Sequence, residues 1–330
     1  MSNSNINPTS KFGLGMAALG RPGYINIGHA EDLEQDYSIS GMKRRAHTVL
    51  DAAWESGVRY FDCARSYGRA EEFLGGWILG KGIDPEDITV GSKWGYTYTA
   101  AWRVQTPDGV AHEVKRHELN LLQGQYRASA KWLGPHLKLY QIHSATPESG
   151  VLENNEVLEC LNRLKQIGMQ IGLSVSGPNQ SATIDQAISI EFDGERLFDS
   201  VQATWNVLET SAGEALQAAH QSGVKVIVKE GLANGRLTSR NADPGFGKKL
   251  SLLKEIADEL GTSVDALALA AIASRSWVTT VLSGSSTVEH LKSNLAAANV
   301  DWDDQLSQRL KPLVEPADKY WRCRSELAWN

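Results

Sequence analysis

Short apolar runs alternate along this chain with longer stretches whose apolar positions recur every three or four residues. The runs predict strands at 12–19, 58–62, 88–93, 137–143, 170–176, 199–205, 224–229 and 278–283. The stretches between them predict helices at 44–56, 69–80, 114–133, 154–167, 180–190, 213–222, 248–260, 263–274 and 287–298. Gly57, Gly168 and Gly223 stand where helices should stop, and Thr287 stands where one should start. Residues 21–41, 96–113 and 231–247 break the pattern and read as long loops. Residues 303–314 predict an appended C-terminal helix, followed by a tail bearing Trp and Arg.

Strict alternation of strand and helix implies parallel strands joined by right-handed crossovers. An open doubly wound sheet and a closed barrel both satisfy it. Two details favour a (β/α)₈ TIM barrel: the count of strands, and the lack of Gly-x-Gly-x-x-Gly after the first strand, which would open a Rossmann unit. No linker-like shift in composition appears, so residues 1–330 read as a single domain.

Composition narrows the class. Of 330 residues, 42% are hydrophobic and 22% charged, enough apolar matter to bury a large core without staples. The net charge of −6 and the absence of any basic cluster longer than Lys43-Arg44-Arg45 argue against nucleic-acid or anionic-membrane partners. Cys63, Cys160 and Cys323 are scattered and show no metal-binding spacing, which makes a reducing cytoplasm the default and a metal unexpected. The first ten residues are polar and unlike a signal peptide, and no apolar run is long enough to span a membrane.

The candidate chemistry sits where apolar runs end. Asp62 closes Val-Arg-Tyr-Phe-Asp, Tyr67 follows it, Lys93 closes Ile-Thr-Val-Gly-Ser-Lys, and His143 closes Leu-Tyr-Gln-Ile-His. In a barrel these positions face one mouth, the C-terminal face that carries active sites. Taken singly, Asp62 also fits a helix cap, Tyr67 a wall residue and His143 a core histidine. Lys93 differs, since a lysine ending an apolar strand needs a carboxylate or a depressed pKa. Together, an ammonium paired with a carboxylate beside a phenol is expected to lower the phenol's pKa from about 10. Tyr67 would then act as a general acid near neutral pH, with His143 fixing a substrate oxygen. The set suits a carbonyl being reduced by hydride, or an alcohol being oxidised.

Several motifs extend this reading: Gly57 through Gly68 with Glu71-Glu72 after it, Ser92-Lys93, Leu139 through His143, and Ile171 through Ser174. Val201 through Asn206, Leu232-Ala233-Asn234-Gly235, Ser283-Gly284 and Glu289 through Asn294 continue in the same order. By these stretches the chain resembles the aldo-keto reductases over nearly its whole length. The resemblance places the family's tetrad on Asp62, Tyr67, Lys93 and His143. It implies a nicotinamide cofactor lying across the barrel mouth. Ser174 and Gln202 would hold its carboxamide, Leu232 and its neighbours the pyrophosphate, and Gly284, Ser285, Ser286, His290 and Asn294 the adenosine end. Family habit favours NADP(H), with NAD(H) the alternative.

The chain also departs from the family. Lys229-Glu230-Gly231-Leu232 replaces the usual Tyr-Ser-Pro-Leu, so the aromatic platform for the nicotinamide is missing unless Trp205 supplies it. Lys229 and Glu230 either pair with each other or contact cofactor or substrate. Val175 stands where an Asn is usual, and no Arg or Lys occupies 284–286, where Lys292 or Arg275 would have to compensate. Tyr24, Trp94, Tyr96 and Trp205 are the expected pocket walls, with Tyr98, Trp102 and the tail as further candidates.

The leading expectation is a cytoplasmic, metal-free NAD(P)(H)-dependent oxidoreductase. It would interconvert a small-molecule carbonyl (an aldehyde, ketone or sugar hemiacetal) and an alcohol. The alternatives are a redox-sensing nicotinamide-binding subunit resembling potassium-channel β subunits, and a Schiff-base lyase with Lys93 as nucleophile. The intact tetrad weighs against the first and the Asp62 partner against the second.

Overall fold

The computed structural model describes residues 8–330. Eight parallel strands close into a barrel in sequential order: β1 (Phe12–Gly15), β2 (Tyr60–Asp62), β3 (Thr89–Trp94), β4 (Leu137–Ala145), β5 (Gln170–Val175), β6 (Ser200–Thr204), β7 (Lys225–Lys229) and β8 (Thr280–Ser283). The ring closes between β1 and β8, where Phe12 faces Val281 and Leu14 faces Ser283. Each strand but β1 is preceded by helix, as the alternation requires.

Two apolar layers hold the barrel. Outward side chains such as Phe61, Val90, Ile142, Leu173, Val201 and Val226 pack against the surrounding helices. Inside, Leu139, Ile227 and Leu282 meet Tyr60 and plug the floor. Gly13 in β1 makes that plug fit: a Cβ there would lie 2.7 Å from Tyr60 Cδ1 and 3.0 Å from Leu282 Cδ2. A third cluster joins helices Gly247–Glu259 and Val264–Ala273 to Tyr320 and Trp321. Helix Val264–Ala273 is buried on nearly every side, which explains a sequence that is apolar except for Asp265 in its first turn.

The departures from expectation are local. The first strand stops at Gly15 because the chain turns there, Gly20 N–H closing onto Met16 C=O at 2.9 Å. Loop 21–41 carries a short helix, His29–Asp32, and helix Ile39–Glu55 begins early because Ser38 caps it, accepting from Gly41 N–H. The predicted helix 114–133 begins only at Leu119, since Glu113–Lys115 pairs antiparallel with Tyr96–Tyr98 in a ribbon beside the mouth. A second ribbon, Glu191–Phe192 with Glu195–Arg196, turns on Asp193-Gly194, both with positive φ (53° and 79°). The appended helix is Asp304–Leu310, and the tail forms another helix, Ala317–Ser325. Among the described residues, no helix is long and apolar enough to cross a membrane, and no three His, Cys, Asp or Glu gather as metal ligands.

Candidate active site

Asp62 ends β2, Lys93 lies one residue before the end of β3, and His143 lies near the end of β4, so all three point into one mouth. Tyr67 reaches the same place from the turn between β2 and helix Ala70–Lys81. The Lys93 ammonium donates to the Asp62 carboxylate, to Cys63 C=O at 2.9 Å and to the Tyr67 hydroxyl at 3.4 Å. Its three protons are thus committed. Asp62 Oδ1 also accepts from Gln202 at 2.9 Å, Tyr60 at 3.3 Å and Gln141 at 3.4 Å. The Tyr67 and His143 rings meet edge to face, 5.5 Å between centroids, and Tyr96 closes on His143 at 4.8 Å.

The electrostatics differ in one respect from the expectation. Burial pushes the Tyr67 phenol well above its ordinary value, Asp62 adds to that, and Arg21 opposes it. The Lys93 charge is already matched by Asp62, so the free phenol keeps its proton. Burial, then Lys93 and Lys229, hold His143 well below the usual imidazole range, so it is neutral at pH 7. Its Nδ1 has no partner among the described residues.

Beside this cluster lies a second charged group. Lys229 ends β7 and donates to Thr204 Oγ1 at 2.9 Å; burial lowers it to about 8, although Glu230 works the other way. Glu230 faces Arg324 of the tail helix, which donates through both Nε and Nη2 at 2.5–3.1 Å. Glu230 is held at about 2: burial would raise it, but Arg324 and then Lys229 outweigh that. Lys229 and Glu230 are thus both at the mouth, and the carboxylate's hydrogen-bonded cation is Arg324.

A cavity of about 590 Å³ runs from this floor to the turn after β8. Asp62, Tyr67, His143, Gln202, Lys229 and Leu232 line one end, and Gly284, Ser285, Ser286, His290 and Asn294 the other. Tyr24 and Tyr96 line it as expected. At the far end Asn294 donates to Ser283 Oγ (2.9 Å) and Ser285 Oγ (3.0 Å).

Three expected site residues lie elsewhere. Trp94 is fully buried and packs edge to face on His117 at 5.5 Å, because neighbours on a strand point to opposite faces and Lys93 takes the inward one. Trp205 packs on Trp277 at 5.5 Å under the Arg275 guanidinium, away from the cavity wall, so it offers no platform for a nicotinamide. Ser174 is buried between strands, accepting from Ser144 N–H at 2.8 Å and donating to Ile142 C=O at 3.5 Å. Ser144 and Ser176 stand at the wall instead. Tyr98, Trp102, Arg275 and Lys292 also lie off the cavity.

Among the other wall residues, Arg21, Asp32 and Arg240 carried no sequence signal beyond their loops, whereas the tail and the loop after Leu232 were expected there. Arg21 lies 5.4 Å from the Tyr67 ring centroid and 4.8 Å from that of Trp329, and it is paired with Glu113 at 2.8 Å. Trp329 stacks on His112 at 3.9 Å, and Asn330 pairs with Tyr24 through both backbone groups. The tail therefore roofs the cavity. Asp32, Arg240 and Asn234 complete the wall.

Comparison with known proteins points to one family. The family model described as "Aldo/keto reductase family" matches residues 14–315. The chain is 24% identical to the uncharacterized oxidoreductase YqkF of Bacillus subtilis, over 79% of this chain and 85% of that one. It is 23% identical to the NADH-specific methylglyoxal reductase of Escherichia coli, over 94% and 96%. It is 24% identical to a probable voltage-gated potassium channel subunit beta of Arabidopsis thaliana, over 88% and 90%. The solved holo form of aldo-keto reductase AKR11C1 from Bacillus halodurans superposes with a TM-score of 0.69 at 21% identity, covering 93% of each chain.

Proposed function

The chain belongs to the aldo/keto reductase family, and on that premise we propose that it is an NAD(P)(H)-dependent oxidoreductase interconverting a small-molecule carbonyl and an alcohol, with Tyr67 as the proton donor and acceptor. The observation that carries the reading is the meeting of Tyr67, Lys93, Asp62 and His143 at the floor of one cavity. The cavity's residues suit a nicotinamide nucleotide. Both His143 Nδ1 and Asn234 Oδ1, on residues that line it, lack partners among the described residues, and its far end is a turn rich in hydroxyls. Gln202 and Leu232 lie toward the nicotinamide end, and Gly284, Ser285, Ser286, His290 and Asn294 toward the adenosine end. The bound cofactor supplies the hydride.

The residues' roles follow from their state. Tyr67 holds its proton at neutral pH and so can give it to a carbonyl oxygen as negative charge develops there. Lys93 keeps the phenol oxygen in place, and its charge becomes useful once a phenolate forms. Asp62, with four donors on it, fixes Lys93. Neutral His143 has an imidazole atom free to direct the carbonyl oxygen. Tyr24, Tyr96 and Trp329 exclude water from the same end.

Tyr67→Phe keeps the ring and removes the proton. Turnover should fall by about 10²–10⁴-fold while cofactor affinity stays within about twofold. Aldehyde and sugar panels with NADH and NADPH, paired with nucleotide titrations, measure both; undiminished turnover would refute the role of Tyr67. The intact tetrad also weighs against a purely redox-sensing subunit, which needs no committed proton donor.

A further inference from the structure

The far end of the cavity contains a carboxylate of its own. Asp32 ends the short helix His29–Asp32 and its side chain is 12% exposed. Its Oδ2 accepts from the Ser286 hydroxyl at 2.6 Å and lies 3.5 Å from His290 Nδ1. Its Oδ1 accepts from Arg240 Nη1 at 2.6 Å. Arg240 also donates to Gly28 C=O at 2.6 Å and has Glu31 at 3.9 Å. Asp32, Arg240, Ser286 and His290 all line the cavity.

The groups that would receive an extra anion at this turn are therefore already bonded to an anion belonging to the chain. The nearest guanidinium faces two carboxylates, Asp32 and Glu31, and brings no spare positive charge. A second, dianionic group placed here would lie against Asp32, and like charges held together at a binding surface repel each other. A neutral hydroxyl in the same place meets a carboxylate acceptor, the arrangement by which an acidic residue holds the ribose of a dinucleotide.

We propose that Asp32 makes the site selective for NAD(H) over NADP(H): it accepts a hydrogen bond from the adenosine ribose and repels a 2′-phosphate. This rests on the cofactor placement in the proposed function, and it departs from the NADP(H) preference that the family resemblance implies.

The test is direct binding to the full chain, followed by fluorescence of NADH and NADPH and by displacement with AMP and with adenosine 2′,5′-bisphosphate. Wild-type protein should bind NADH at least about tenfold more tightly than NADPH, and AMP should displace better than the bisphosphate. Asp32→Asn and Asp32→Ser should each raise NADPH affinity on the order of tenfold and lower NADH affinity, because the ribose loses its carboxylate acceptor. Equal or tighter binding of NADPH by the wild-type protein overturns the proposal, without depending on how either variant folds. So does an unchanged NADPH affinity in both folded variants. Binding of neither nucleotide would overturn the proposed function itself, whereas equal binding of both overturns only the selectivity.

Discussion

Lys93 shows how far a single side chain is determined by its neighbours. Its three protons go to Asp62, Cys63 C=O and Tyr67, so it offers no free amine for a Schiff base. At the same mouth, Glu230 draws its low pKa of about 2 from Arg324 and Lys229. The folded protein thus binds the Glu230 proton more weakly than the unfolded chain does. That contribution to stability is fully present above pH 4.5 and is lost as pH falls toward 2. Glu230→Gln should remove this slope. At pH 7 it should destabilise by about 3–5 kcal/mol, the usual result of leaving one member of a buried pair alone. Urea unfolding of both proteins at pH 7 and pH 3 checks it: the gap should narrow in acid. The tetrad was legible in the sequence because each strand-end member closes an apolar run, where a polar residue needs a reason to be. Trp94 was misread because proximity in sequence to Lys93 means opposition across a strand. Asp32 was invisible because nothing in loop 21–41 says which turn of the barrel it will reach.

At the scale of elements, strands and most helices followed from periodicity, and the exceptions share a cause. The ribbons Tyr96–Tyr98 with Glu113–Lys115 and Glu191–Phe192 with Glu195–Arg196 are too short to display a period. The tail helix, Ala317–Ser325, has mostly polar positions and is held by Tyr320, Trp321 and the Arg324–Glu230 pair. The first ribbon and the tail bring Tyr96, Glu113, Arg324 and Trp329 to the cavity, and the sequence pointed to Tyr24, Tyr96 and the tail as walls but not to Arg21, Asp32 or Arg240. Trp329 is the roof's main aromatic, stacked on His112 and covering Arg21. Trp329→Ala should raise KM for the best carbonyl substrate by about 3- to 30-fold, with kcat changed by no more than about twofold. That pattern marks binding lost equally from ground and transition states. Steady-state kinetics with saturating cofactor measures the split; a fall in kcat alone would argue that Trp329 acts on the chemistry instead.

For the whole molecule, closure of the barrel depends on how little space its floor leaves. Gly13 lets Tyr60, Leu139, Ile227 and Leu282 meet inside the ring. Its φ lies outside the left-handed range, so the demand is for volume. Gly13→Ala should cost about 1–3 kcal/mol through overpacking. It should appear as a lowered Tm, with the midpoint in urea moving to match.

The seam at the top of the molecule has a bearing on timing. Asn330 is bonded to Tyr24 by backbone and to His29, Ala30 and Asn26 by its side chain. During synthesis the strands and their catalytic side chains emerge first, and domains fold largely as their sequence becomes available. The cavity therefore exists as an open bowl until the last described residues arrive to meet loop 21–41. A nascent chain still held by the ribosome at its tail carries the tetrad but lacks the roof.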